Sequence, residues 1–218
     1  MSRAISADTT FTGPGRQVMR QASMSRPRPV ILASASPRRK ELLEIIGMKF
    51  RVDAGDLEED LDLALAPPAL AKHLSREKAF SVSEKYRDAL IIAADTFISF
   101  RNRLLGKPHT AREAVRMLAM LSGKSHTVIT GYAVLDTATG KCVSRAIETR
   151  VWLRKLTATE IRAYVRTGEP LDKAGAYAIQ GLGSLIVMKI EGDYFNVVGL
   201  PLASLAKTLK TFGIHPLG

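Results

Sequence analysis

The chain has little of several residue types, and each shortage excludes a class of protein. It contains a single cysteine, Cys142, among 218 residues, so it cannot form an internal disulfide, and this predicts a reducing, cytoplasmic location. The four histidines are scattered, and no pair of His or Cys residues has the spacing of zinc ligands. No apolar run approaches the roughly 18–20 residues that a membrane-spanning helix needs. We therefore expect a soluble protein without a membrane partner.

Basic residues are in excess, which indicates a polyanionic partner. The chain carries 32 Lys and Arg against 21 Asp and Glu, a formal net charge of +11, and such a charge suits nucleic acid and nucleotides equally. Aromatic residues make up only 6%, and no helix-turn-helix, RRM or zinc motif is present, so nucleic-acid binding is the weaker interpretation. In the absence of zinc ligands, any metal should be held by carboxylates and phosphate oxygens, which hard divalent cations prefer.

The first 28 residues differ in composition from the rest of the chain. They contain five arginines and one acidic residue, Asp8, with no apolar periodicity. This composition predicts a disordered basic extension over residues 1–28, followed by one domain over residues 29–218. A loose tail, an Arg-rich transit peptide and a true start at Met24 are three alternatives that this composition leaves open.

The hydrophobic patterns alternate irregularly between strand and helix, which predicts an α/β fold with a mixed sheet flanked by helices. Two capping boxes, Thr110 with Glu113 and Thr157 with Glu160, mark helix starts. Ser36 and Pro37 predict another start, with Ser36 as the N-cap. Predicted strands cover residues 30–33, 50–54, 90–94, 127–135, 142–152 and 185–191, with a short hairpin over 97–105; helices cover 37–46, 67–86, 111–121, 158–167 and 200–212.

The segment from Ala33 to Arg39 is the first candidate site. A strand, a turn of small residues and a helix N-terminus together present backbone N–H groups and a positive helix end, which bind anions. Arg38 and Arg39 occupy the first helical turn, where the helix dipole disfavours cations, so a function other than helix stability is indicated. Guanidinium groups match phosphate oxygens in two-point contacts. A solvated basic turn is the structural alternative.

Five further residues could carry chemistry, and each has an ordinary structural alternative. Asp95 follows the apolar run 90–94, so we expect it at the carboxyl edge of the sheet, where it could bind metal or accept a proton from water; a turn-capping Asp is the alternative. Lys78 continues the apolar stripe of its helix and either points into a site or extends to solvent. Glu59, Lys107 and Gln180 lie in predicted loops, where a solvated side chain is the usual finding.

Taken together, these segments resemble the Maf family of nucleotide pyrophosphatases. The resemblance runs from about residue 30 to residue 209, and its specificity comes from the order of the pieces rather than from any one of them. The pieces are LASASPRR at 32–39, EE at 58–59, KA at 78–79, ADT at 94–96, LGKP at 105–108, LSGKSH at 121–126, DKAGAYAIQG at 172–181 and VVGLPL at 197–202.

The resemblance implies a two-lobed α/β fold with a substrate cleft between the lobes, a divalent cation (Mg²⁺ or Mn²⁺), and a homodimer. It also implies hydrolysis of a nucleoside triphosphate to the monophosphate and pyrophosphate. Arg38, Thr96 and Gln180 match the subfamily that accepts dTTP and UTP, whereas the sister type acting on 7-methyl-GTP usually has Trp, Gln and Glu there. Whether the cellular substrate is a normal pyrimidine nucleotide or a modified one that must be kept out of nucleic acid stays open.

On this resemblance we expect Asp95 to be the general base toward water, and Glu59 and Asp95 to bind the metal. Arg38, Thr96 and Gln180 are expected to contact the nucleoside. Two alternatives remain at this point: a pyrophosphatase for 7-methyl-GTP, and a nucleic-acid-binding regulator of cell division. The residues expected to bind the phosphates are Ser34, Arg39, Lys78 and Lys107.

Overall fold

Seven strands form one mixed sheet in the computed structural model, which describes residues 28–55, 61, 63–101 and 103–217. The strands are β1 (Val30–Ala33), β2 (Arg51–Val52), β3 (Leu90–Phe100), β4 (Arg103–Leu105), β5 (Ser125–Asp136), β6 (Cys142–Leu153) and β7 (Val187–Glu191). Their order is β2-β1-β3-β5-β6-β7, with β4 paired to β3. β1 runs parallel to β2 and β3, and the other pairings are antiparallel. The predicted mixed α/β fold is confirmed.

Helices cover both faces of this sheet. Buried residues of α2 pack on one face of β3 and β5, together with Ala93 and Phe97. On the opposite face, α1 and α6 pack beside Ile92, whereas α3 and α4 pack beside Ile98. The helices are α1 (Pro37–Ile45), α2 (Pro67–Ser83), α3 (Ala111–Leu121), α4 (Ala158–Arg166), α5 (Tyr194–Val198) and α6 (Leu202–Lys210).

The long strand β3 carries a polar interruption at its centre. Side chains alternate between the faces of a strand, so Asp95 and Thr96 point to opposite faces. On the face of β3 that carries Asp95, one apolar cluster lies before Asp95 along the strand and another lies after it. On the opposite face, one apolar cluster likewise lies before Thr96 and another after it. Two separate apolar clusters therefore lie on the Thr96 face, and the polar pair lies between them.

Several predicted boundaries are wrong by a few residues. β3 continues to Phe100 instead of ending at residue 94, because β5 pairs with residues 90–99 and β4 with residues 98–100. Ser36 occupies the N-cap position of α1, but its side chain makes no capping hydrogen bond. Thr157 and Glu160 form the predicted capping box. The short helix α5 was not predicted, because five residues give too little periodicity to recognise.

The described part of the chain begins with an anchored residue. Arg28 donates hydrogen bonds to Asp88 and Asp136, so this last residue of the predicted basic extension contacts the domain. Residues 1–27 lie outside the described residues. Among the helices of the described ranges, none is long and apolar enough to cross a membrane.

Candidate active site

One cleft of about 380 Å³ brings together eight of the nine predicted site residues. This volume falls in the range that binds small ligands, roughly 300–1,000 Å³. The ninth residue, Glu59, lies outside the described residues, as does the rest of the acidic stretch 56–60. The residues that line the cleft as predicted are Ser34, Arg38, Arg39, Lys78, Asp95, Thr96, Lys107 and Gln180.

The cleft opens where β1 stops. Its last residue, Ala33, pairs with Ala93 of β3, whereas β3 continues past that pairing. Asp95 and Thr96 therefore lie just beyond the carboxyl end of β1, beside the β1–α1 turn. The expectation that Asp95 would end its own strand is wrong, because antiparallel β5 extends β3. The polar pair instead lies at the carboxyl end of the neighbouring strand.

Asp95 lies in the wall of the cleft that faces α2. Its side chain is 2% exposed, and Lys78 Nζ donates a hydrogen bond to Oδ1. Gly131 stands directly opposite Asp95 on β5, and a Cβ there would lie 1.9 Å from the carbonyl oxygen of Ala71 in α2. This glycine lets α2 approach the sheet closely enough for Lys78 to reach Asp95. The lysine thus points into the cleft and stabilises a buried carboxylate.

Arg39 lies on the other face of β3 and is fixed, among the described residues, by oxygens of Gly199, Ser34 and Thr96. Its Nε donates to the carbonyl of Gly199 at 2.9 Å, and its terminal nitrogens donate to Ser34 Oγ at 3.0 Å and Thr96 Oγ1 at 3.1 Å. Thr96 Oγ1 also bonds to Thr130 Oγ1 at 2.9 Å. The guanidinium therefore links the β1–α1 turn, β3 and the segment before α6, and its charge has a defined position.

Arg38 is more buried than its exposed neighbours in α1. Burial lowers the pKa of its guanidinium, and the negative charges of Asp172 and Glu41 partly oppose that shift. Its Nε has no hydrogen-bond partner among the residues that the structure describes. A buried donor without a partner costs free energy, so this part of the cleft wall offers a donor that a bound ligand could satisfy.

A segment that contains three short 3₁₀ turns forms a second wall of the cleft, which it lines with residues 172–174 and 177–180. The turns cover Glu169–Asp172, Ala174–Ala176 and Gly181–Leu185. Within them, Gly175 (φ 66°) and Ala176 (φ 61°) adopt left-handed backbone conformations, which for alanine is a strained geometry typical of functional sites. The N–H of Gly175 donates to the carbonyl of Gly106 at 2.9 Å, which joins this wall to the loop bearing Lys107.

Three cleft residues were not assigned a role from the sequence. Lys173 Nζ donates to the Asp172 carboxylate. Burial raises the pKa of Asp172, but the hydrogen bond and charge of Lys173 and the charge of Arg38 outweigh it, so the net shift is downward. The third, Tyr177, is buried and bonds through its hydroxyl to His126 Nε2 at 2.7 Å. All three lie in the 172–181 segment of the family resemblance, which was the available indication.

The carboxylates in the described part of the cleft are few. No group of three or more His, Cys, Asp or Glu side chains comes together within the described ranges, and the carboxylates that line the cleft are Asp95 and Asp172. Mg²⁺ is commonly held by one or two carboxylates together with substrate phosphates. The buried Asp95 therefore fits a divalent cation bound jointly with a nucleotide.

Comparison with known proteins identifies the family. The family model described as "Maf-like protein" matches residues 29–212. A dTTP/UTP pyrophosphatase of Methanosarcina barkeri is 52% identical over 188 residues, covering 86% of this chain and 95% of the relative. One of Alkaliphilus oremlandii is 51% identical over 184 residues, covering 84% and 95%, and one of Desulforamulus reducens is 47% identical over 188 residues, covering 86% and 98%. This chain therefore belongs to the family of Maf-like proteins.

Proposed function

We propose that this protein is a nucleoside triphosphate pyrophosphatase that hydrolyses dTTP and UTP to the nucleoside monophosphate and pyrophosphate. The observation that carries the proposal is a buried carboxylate, Asp95, in a cleft lined by Arg38, Arg39, Lys78 and Lys107. Relatives that match most of this chain are named for the same activity. Their names do not favour the two alternatives, 7-methyl-GTP hydrolysis and nucleic-acid binding.

The triphosphate binds to the cations and the turn that surround Asp95. Arg39 and Lys78 approach the cleft from opposite faces of β3, and Lys107 enters from the loop across the cleft, so negative charge is neutralised from three sides. Ser34 adds its hydroxyl and the N–H groups of the β1–α1 turn. Because Arg39 and Lys78 are already held by protein oxygens, little reorganisation accompanies binding.

Asp95 acts as the general base. It accepts a proton from water, whose oxygen attacks the α-phosphorus; the bond from that phosphorus to the bridging oxygen breaks, and pyrophosphate leaves with the bridging oxygen. Lys78 keeps the carboxylate ionised, because an adjacent positive charge favours the charged form of an acid. Because Asp95 is buried, bulk water does not reach its carboxylate, and Asp95 accepts a proton only from a water molecule bound in the cleft.

A divalent cation, Mg²⁺ or Mn²⁺, belongs to this site in the proposal, with Asp95 and Glu59 as its protein ligands. When bound, such an ion neutralises phosphate charge and lowers the pKa of bound water. Arg38, Thr96 and Gln180 contact the nucleoside. The exposed amide of Gln180 presents both a donor and an acceptor, which the edge of uracil or thymine requires.

The decisive experiment gives the purified protein a panel of triphosphates with Mg²⁺ or Mn²⁺ in water enriched in oxygen-18. We expect dTTP and UTP to be hydrolysed fastest, with pyrophosphate as product and the label in the monophosphate, because attack is at the α-phosphorus. Including 7-methyl-GTP and 5-substituted pyrimidine triphosphates tests the sister activity and modified substrates. Orthophosphate as the first product, or no turnover of any nucleotide, would overturn the proposal.

We also propose that residues 29–218 form one catalytic domain behind a basic extension, and that the protein is a cytoplasmic homodimer. The single cysteine supports a reducing compartment, and the resemblance supports the dimer. Leu185 and Met188, each 67% exposed, supply apolar surface beside the terminal strand β7. Light scattering after size-exclusion chromatography tests the dimer, and cell fractionation tests the location.

A further inference from the structure

The carboxylate of Glu169 holds two peptide groups and one side chain. Its Oε1 accepts hydrogen bonds from Tyr164 Oη at 2.8 Å and from the N–H of Gly183 at 2.9 Å, and its Oε2 accepts from the N–H of Leu182 at 3.0 Å. Carboxylate acceptors make hydrogen bonds of about twice the strength of neutral ones. One residue thus fixes the backbone immediately after the 172–181 segment.

Tyr164, a buried residue in the last turn of α4, fixes the other side of the same loop. Its hydroxyl accepts a hydrogen bond from the N–H of Ala178 at 3.1 Å while it donates to Glu169. The backbone is therefore held at residue 178 and again at residues 182–183. The tripeptide between these anchors is Ile179-Gln180-Gly181, and Gln180 lines the cleft.

The loop packs closely on these two side chains at its glycines. A Cβ on Gly181, whose φ is +64°, would lie 2.6 Å from Glu169 Oε2. A Cβ on Gly183 would lie 2.0 Å from the carbonyl oxygen of Ala178 and 2.8 Å from Tyr164 Oη. Contacts this short leave the loop one position relative to Tyr164 and Glu169.

The charge of Glu169 is maintained in this setting. Burial raises the pKa of its carboxyl, but the N–H groups of Leu182 and Gly183, the hydroxyl of Tyr164 and the charge of Lys173 outweigh that effect, and the net shift is downward. The charge of Glu169 also has a small raising effect on the pKa of Arg38. The ionised carboxylate of Glu169 is thus the acceptor for the N–H groups of the loop that follows Gln180.

We infer that Glu169 and Tyr164 are positioning residues that set base selectivity, by holding the amide of Gln180 where it reads the edge of uracil or thymine. Neither side chain touches the phosphates or the base in this assignment, and the inference rests on the proposed function. An amide in a fixed orientation distinguishes uracil from cytosine, because the two bases exchange donor and acceptor at the edge it reads.

The test compares UTP with CTP, which share sugar and phosphates, in the variant Glu169→Gln. A glutamine side chain keeps the size but presents N–H groups to one of the peptide N–H donors, which releases that part of the loop. We expect kcat/KM for UTP to fall about tenfold while that for CTP changes about twofold or less, so the selectivity ratio falls at least about fivefold. Inhibition by inorganic tripolyphosphate, which has no base, stays within about twofold.

Two further variants keep the test decisive. Tyr164→Phe retains the buried ring and removes only the hydroxyl, so we expect the same selectivity ratio to fall by a smaller factor. If Glu169→Gln does not fold, the ratio measured for Tyr164→Phe tests the inference instead. Glu160→Gln removes a carboxylate from the capping box of the same helix and should leave the ratio unchanged. An unchanged ratio in a folded Glu169 or Tyr164 variant, or equal losses for UTP and CTP, would overturn the inference. Wild-type protein that hydrolyses no nucleotide would instead overturn the proposed function.

Discussion

The two walls of the cleft are built in different ways. The sheet wall carries Asp95 and Lys78 on strands and helices whose backbones are paired along their length. The loop wall, residues 169–185, contains short 3₁₀ turns and is held in part by side chains such as Glu169, which accepts hydrogen bonds from backbone N–H groups. We propose a corresponding difference in role: Asp95 and Lys78 on the sheet wall act on the phosphates, whereas Gln180 on the loop wall discriminates between bases.

The physical reason is that the two walls differ in how easily a ligand or a substitution changes their shape. A charge mounted on paired strands keeps its position whatever base is bound, because backbone ladders resist displacement. A loop held by single side chains can change its shape by one substitution without unfolding the core. Changes at Asp95 or Lys78 should therefore affect all triphosphates alike, and changes in the loop that carries Gln180 should affect some bases more than others.

The largest effect is expected for Asp95→Asn. Loss of the general base should lower kcat by about 10²–10⁴-fold, and by the same factor for dTTP, UTP and CTP, measured as pyrophosphate release. Asp88→Asn, which removes an exposed carboxylate that contacts Arg28, is the matched control and should retain turnover. Near-normal turnover by folded Asp95→Asn protein would remove Asp95 as the base.

The next largest effect is expected for Gly131→Ala, which tests whether α2 must lie close to the sheet. The new methyl group meets the carbonyl of Ala71 at 1.9 Å, and overpacking of this kind costs about 1–3 kcal/mol of unfolding free energy. Displacement of α2 should also weaken turnover, because Lys78 moves away from Asp95. Gly140→Ala, in a turn with φ +72° and open space around it, should lower the unfolding free energy by a smaller amount and leave kcat unchanged. Equal turnover by both variants would contradict the role assigned to Gly131.

The His126–Tyr177 contact, which supports the loop wall from β5, predicts a pH-dependent stability. Burial lowers the pKa of His126 to about 4, against 6.5 for the unperturbed group. Below about pH 6.5 His126 is protonated in the unfolded chain, but in the folded protein it stays neutral until about pH 4. The contribution of His126 to stability is therefore complete above about pH 6.5 and is lost as the pH falls from there toward 4. Between pH 8 and pH 5 the loss from this residue should be roughly 2 kcal/mol.

Urea unfolding at the two pH values measures this loss. His126→Gln does not titrate and can still bond to the Tyr177 hydroxyl, so its unfolding free energy should fall by roughly 2 kcal/mol less over the same interval. The same pH dependence in wild type and variant would show that His126 does not titrate as its burial implies.

The smallest effect in free energy is expected for Gln180→Ala. This exposed side chain contributes little to stability, but loss of its amide should lower kcat/KM for UTP by about tenfold, or about 1.4 kcal/mol, relative to CTP. Ser184→Ala, which lies on the same 3₁₀ turn wall and bonds only to Gly181 among the described residues, is a control for local disturbance. If kcat/KM fell by the same factor for UTP and CTP, the proposed difference in role between the two walls would be wrong.

Much of this architecture could be predicted from residue patterns, and the failures have identifiable causes. Thr110 and Thr157 are local signals of a helix N-terminus, and they predicted the starts of α3 and α4 correctly. The position of Asp95 was misjudged because its strand is extended by pairing with β5, more than thirty residues later in the chain. Lys173 and Tyr177 were not assigned roles, because a charged or aromatic residue in a loop has no periodicity that indicates where it points.

The sequence by itself determined the family, most of the helices and strands, and eight of the residues that line the cleft, since those depend on local patterns and on the order of short motifs. Only the tertiary structure decided that Asp95 and Thr96 face opposite sides of one strand beyond the end of β1. It also decided that Gly131 leaves room for α2 to lie close to the sheet, and that Glu169 and Tyr164 hold the backbone on either side of Gln180. Such relations arise from packing between distant segments, and no local pattern encodes the distance between them.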